Sequence, residues 1–69
     1  MGKIQGRSDV NIIIGMELGD ADKHINKIGM ELRVMQNGSK SHMVAGGYND
    51  KRVNVHVDKG FVIDIFNIG

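Results

Sequence analysis

The chain has 69 residues, nine Lys and Arg against eight Asp and Glu for a formal charge of +1, and no cysteine. One domain with a thin core is all that this length allows, because below ~70 to 80 residues a single core rarely supplies more than ~3 to 5 kcal/mol, and no disulfide can add to it. Charges of both signs are mixed along the chain, and one Tyr, two Phe and no Trp offer neither a basic stripe nor a stacking platform for a nucleic-acid polymer.

His24, His42 and His56 have no short ligand spacing, so no metal site and no cofactor are expected. Idealised packing or self-association is left to compensate for the small core, and a homo-oligomer stays open. The segment from Met1 to Gly6 lacks the apolar run of a signal peptide, and Val10 to Ile14 is too short to span a bilayer. A cytoplasmic protein without membrane contact is the expectation. Gly6 stands where a myristoylation signal wants Ser or Thr.

In chain order, residues 1–8 read as a loose N-terminal segment and residues 9–69 as a single α+β domain. Asp9 to Gly15 is a β-branched run closed by glycine, which predicts a short strand or an extended segment laid on the core. Leu18, Ala21, Ile25 and Ile28 then recur at steps of three and four, predicting an amphipathic helix over about residues 17–28. Acidic residues stand at its start, lysines toward its end, and Gly29 where a C-terminal cap belongs. Ile14 to Leu18 recurs as Ile28 to Leu32, but the flanking residues differ and no solenoid follows.

Met30 to Met35 alternates as a strand with Met30, Leu32 and Val34 on one face. Asn37 to Ser41 is turn chemistry and opens a polar, glycine-rich stretch that runs to Asp50. Arg52 to Asp58 alternates strictly, with Val53, Val55 and Val57 on one face. Asp58-Lys59-Gly60 turns the chain into a partner strand in which Phe61, Ile63 and Ile65 alternate with Val62, Asp64 and Phe66. The expected architecture is one short helix packed on a small mixed sheet with a long exposed loop.

Tyr48, Arg52-Val53, Val55, Val57-Asp58, Ile63 and Ile68-Gly69 together form a pattern that resembles the potato inhibitor I family, which includes the barley chymotrypsin inhibitor, and related small microbial inhibitors. The match covers Met43 to Gly69. The resemblance implies a helix on a small sheet, with a long loop between two parallel strands presented to a serine protease as a rigid, substrate-like segment. Here that loop spans residues 39–51. It also implies loop support by basic side chains from the following strand. Arg52 matches the first of these, and Asn54 stands where plant members carry a second arginine. The sequence departs from the family at the reactive bond, where Gly46 and Gly47 offer no side chain to a specificity pocket.

Two functional classes follow, and neither is an enzyme, because no acid, base and nucleophile set is evident. The first is a binding or inhibitor protein that offers the 39–51 loop to a protein target, with a protease as the partner class that the resemblance implies, through Met43, Gly46, Gly47, Tyr48, Lys51 and Arg52. The second is a homo-oligomer that sequesters an anionic small molecule such as a nucleotide. There Gly46 and Gly47 would bring backbone amides to a phosphate, Tyr48 would stack on a base, and Lys51 or Arg52 would supply charge. A small intracellular inhibitor of either kind would suit a phage-like setting.

Overall fold

A computed structural model describes residues 4–41 and 47–69. Its elements are α1 (Ser8–Asn11), α2 (Leu18–Lys27), β1 (Glu31–Asn37), β2 (Lys40–Ser41), β3 (Arg52–Asp58) and β4 (Phe61–Ile68). The strands form one mixed sheet of four in the order β2-β1-β3-β4. Strands β1 and β3 are parallel, and the β1/β2 and β3/β4 pairs are antiparallel. The chain is therefore a small α+β fold. No helix among the described residues is long and apolar enough to cross a membrane.

The first predicted strand is not a strand. Residues 8–11 are helical, and the chain keeps turning through Ile14, with Asn11 N–H donating to Arg7 O at 2.9 Å, Ile12 N–H to Ser8 O at 3.2 Å and Ile14 N–H to Asn11 O at 3.1 Å. Burial explains the reversal. Val10 and Ile13, three apart, are fully buried while Ile12 is 57% exposed, a helical spacing that overrides the extended preference of β-branched residues. Asn11 adds a local lock, because its Nδ2 donates to Ile4 O at 2.7 Å and its Oδ1 accepts from Ile4 N–H at 2.8 Å. Ile4 itself packs against the core.

Helix α2 follows the predicted face. Ala21 and Ile25 are fully buried, and Leu18 and Ile28 pack at the margin of the same cluster. Its end is a Schellman motif: Gly29 has φ +81°, its N–H donates to Asn26 O at 3.0 Å, and Met30 N–H reaches Ile25 O at 3.0 Å. The chain leaves that cap directly into β1. Burying Ile25 contributes about 1.5 to 3 kcal/mol, so this one contact is a sizeable part of the stability of so short a chain.

Strands β3 and β4 pair as predicted, but not in simple alternation. Val55 lies opposite Ile65, His56 opposite Asp64 and Val57 opposite Val62, with register shifts that leave Ile63 and Phe66 as extra residues of β4. The bulge at Ile63 thus sends both Val62 and Ile65 into the core, although these residues are three apart. Phe61, Ile63 and Phe66 are each close to half exposed. Of the two alternating sets read in the sequence, neither is buried as a whole, and Val62 and Ile65, one from each, reach the core. The start of β4 is bordered on its outer side by residues 15–18, with Gly15 N–H donating to Val62 O at 2.7 Å and Val62 N–H to Met16 O at 2.8 Å.

The sheet places Val53, Val55, Val57, Val62 and Ile65 against Val10, Ile13, Ala21, Ile25 and Met30 on one side. Its other face carries Arg33, Asn54, His56 and Asn67 together with Phe66. The connection from β1 to β3 begins as a hairpin, with Gly38 and Ser39 between the paired Asn37 and Lys40, so the long loop's first leg contains the two-residue strand β2.

Candidate functional site

The head of the parallel pair and the loop's returning leg meet at Glu31 and Arg52, which are register partners. Arg52 Nε donates to Glu31 Oε2 at 2.9 Å, and Arg52 Nη1 lies 3.4 Å from Gly47 O. Backbone bonds continue the join: Glu31 N–H donates to Lys51 O at 2.8 Å and Arg52 N–H to Asn49 O at 3.1 Å. Asn49 shapes the turn into β3, its Oδ1 accepting Lys51 N–H at 2.9 Å in an Asx-turn. Gly47 has φ +116°, a backbone region that residues with a Cβ rarely enter. Tyr48 is 78% exposed, the most exposed large hydrophobic side chain among the described residues.

Beneath this leg lies a polar row across three strands. Arg33 on β1, Asn54 on β3 and Asn67 on β4 are successive register partners. Asn54 is only 3% exposed, and every polar group of its amide is used. Its Oδ1 accepts from Arg33 Nε at 2.9 Å, and its Nδ2 donates to Asn67 Oδ1 at 2.7 Å and to Gly69 O at 3.0 Å. The amide can face only this way, since Arg33 has no acceptor to offer and Gly69 O no proton. Gly69 N–H in turn donates to Arg52 O at 2.9 Å. The Cδ1–Cε1 edge of Tyr48 borders Gly69, where a Cβ would stand 3.4 Å from Tyr48 Cδ1.

Farther along the same face, His56 stacks on Phe66 with ring centroids 5.9 Å apart and planes within 7°. His56 Nε2 is 3.0 Å from Gly38 O, and Gln36 Nε2 donates to the same oxygen at 3.0 Å. A carbonyl can only accept, so His56 carries a proton on Nε2. His24 Nε2 lies 2.6 Å from Asp9 O and is protonated for the same reason. Both imidazoles hold backbone. Among the described residues no three His, Asp or Glu side chains converge as metal ligands.

Of the residues singled out in the sequence, Gly47, Tyr48, Lys51 and Arg52 occupy one leg of the loop. Met43, Gly46 and His42 lie outside the described residues. Lys51 is exposed and contributes its backbone to the join. Asn54 is buried, and its amide bonds run to Arg33, Asn67 and Gly69. Arg33, Asn67 and Gly69 complete the arrangement, yet sequence reasoning gave the first two no role. Their one visible signal is a polar residue at a matching position in each strand, which becomes legible only once the register and both bulges of β4 are known.

An open apolar groove runs between α2 and β1, lined by Leu18, Gly19, Asp22, Leu32 and Val34. Asp22 is the one residue with a polar side chain in that lining.

Comparison of the chain with protein-family models, with curated proteins and with solved structures finds no match in any of the three.

Proposed function

We propose that the chain is a non-enzymatic binding or inhibitor protein that presents its 39–51 loop to a protein target, on a scaffold of the potato inhibitor I kind. The supporting observation is the join itself. Parallel strands β1 and β3 are linked through that loop, and its returning leg is fastened to the sheet by Arg52, which bonds Glu31 and Gly47 O, while Tyr48 projects into solvent. A leg held in place before binding loses less conformational freedom on association, which is how a short loop gains affinity. With Gly46 and Gly47 at the positions that match the family's reactive bond, side-chain recognition passes to the neighbouring residues.

Sequestration of an anionic small molecule draws less support. The Arg52 guanidinium already faces the Glu31 carboxylate, so an arriving phosphate would have to displace or share an ion pair.

A photoreactive phenylalanine analogue in place of Tyr48, compared with one in place of Lys59 at the far end of β3, tests the reading in cells that produce the chain. A protein adduct formed from position 48 and not from position 59 is the expected result. Adducts from position 59 alone would overturn it. Titration with nucleotides is the counter-test: a ligand at ~100 times its Kd stabilises a fold by ~2.7 kcal/mol, so a large thermal shift with a nucleotide would favour sequestration.

A further inference from the structure

We propose that Gly69, held by Asn54, is a latch that positions Tyr48 as the anchor side chain of the loop; the anchor role rests on the function proposed above, whereas the latch does not. Tyr48 has little else to orient it, being 78% exposed. An exposed tyrosine at the base of a loop would ordinarily sample several rotamers, and fixing them on binding costs free energy. Here the Cδ1–Cε1 edge of the ring lies beside Gly69, close enough that a Cβ there would stand 3.4 Å from Cδ1 and 3.5 Å from Cε1.

Gly69 is itself fastened at both ends. Its N–H donates to Arg52 O at 2.9 Å, and its carbonyl accepts from Asn54 Nδ2 at 3.0 Å. Asn54 is immobilised in turn, being 3% exposed and bonded to Arg33 and Asn67 on the two neighbouring strands. The order of support runs from the sheet's buried amide, through a glycine backbone, to the exposed ring. Asn54 thus acts on the described part of the loop at one remove, through Gly69.

The geometry also defines the partner's side. A phenol that is 78% exposed and bordered by Gly69 along its Cδ1–Cε1 edge suits a pocket with apolar walls and a hydrogen-bond acceptor at its end, the usual setting for a tyrosine hot spot.

Asn54→Asp separates the latch from the fold. Aspartate still accepts from Arg33 Nε, and the Asn67 amide can rotate to donate to it, but a carboxylate has no proton to give Gly69 O. Tyr48 is the sole tyrosine and there is no tryptophan, so intrinsic fluorescence reports this ring alone. We expect Asn54→Asp to fold cooperatively, to exchange the Gly69 amide at least tenfold faster, and to lower the Tyr48 anisotropy. Faster Gly69 exchange with unchanged anisotropy would overturn the latch. If Asn54→Asp does not fold, the unsubstituted chain decides: nuclear Overhauser contacts between Gly69 Hα and the Tyr48 ring protons are required, and their absence sinks the proposal. Neither readout involves a partner, so its failure is distinct from failure of the binding function.

Discussion

Glu31 and Arg52 face each other across the first rung of the parallel β1–β3 pair, with Arg52 Nε 2.9 Å from Glu31 Oε2. The Arg52 side chain is 19% exposed and that of Glu31 55%, so water screens the pair and the ionic part is worth no more than about 1 kcal/mol. Its value lies in aiming the guanidinium, whose Nη1 reaches Gly47 O. Arg52→Ala should therefore lower stability by about 0.5 to 1.5 kcal/mol and raise acrylamide quenching of Tyr48. Glu31→Gln keeps an acceptor for Arg52 and should change quenching less. An equal rise in both variants would show that the aim of Arg52 depends on the Glu31 charge and not merely on an acceptor at that position.

The bulges of β4 make a sharper stability prediction. Strict alternation puts Ile63 and Ile65 on the same face, yet Ile65 is 1% exposed and Ile63 46%. Ile65→Ala should cost about 2 to 5 kcal/mol, enough to threaten a chain of this length. Ile63→Ala should cost under about 1 kcal/mol, and thermal melts of the two variants distinguish the registers. Comparable losses would mean that the bulge at Ile63 is absent in solution.

The same bulges mark where the sequence stops being readable. Helix α2 and strand β3 were legible because one face of each carries apolar residues at regular spacing, Ala21 and Ile25 in the first and Val53, Val55 and Val57 in the second. An extra residue breaks that spacing, as in β4, and no local signal announces it. The Val10 to Ile14 run misleads for a related reason: its β-branched composition favours a strand, while Val10 and Ile13 reach the core only from a helical turn. At the candidate site, Arg52 and Tyr48 were visible as residue types beside a glycine pair. The buried amide of Asn54 was not, because alternation placed it among solvated residues, whereas Asn67, Arg33 and Gly69 come together over it.

Lys59 sits at φ +53° and Gly60 at +85° in the two-residue connection between β3 and β4. Positive φ at both central positions is the type I′ requirement, and asparagine meets it with less strain than lysine. Lys59→Asn should stabilise the domain by up to about 1 kcal/mol, read as a higher urea midpoint with an unchanged slope. A lower midpoint would indicate that the lysine side chain makes a compensating contact.

Acid sensitivity should begin at the N-terminal segment. Arg7 Nε is 3.1 Å from Asp9 Oδ1 and Nη2 is 3.2 Å from Oδ2, and this side-chain hydrogen bonding, aided by the guanidinium charge, holds the Asp9 carboxyl below its ordinary value. The same contact raises the Arg7 pKa further, so Arg7 stays charged throughout. A carboxylate with a depressed folded-state pKa contributes stability that is fully present above its unfolded pKa and disappears as pH falls through the folded one. The Arg7–Asp9 contribution should thus be intact at neutral pH and vanish in the acid range below the ordinary aspartate pKa. Arg7 Nη2 also lies 3.3 Å from Met30 Sδ, so releasing Asp9 should loosen the packing of the segment before α1 on Met30. Amide exchange of residues 7–11 should accelerate over that interval in the unsubstituted chain and show no such pH step in Asp9→Asn. Both chains stepping alike would assign the acid response to another carboxylate.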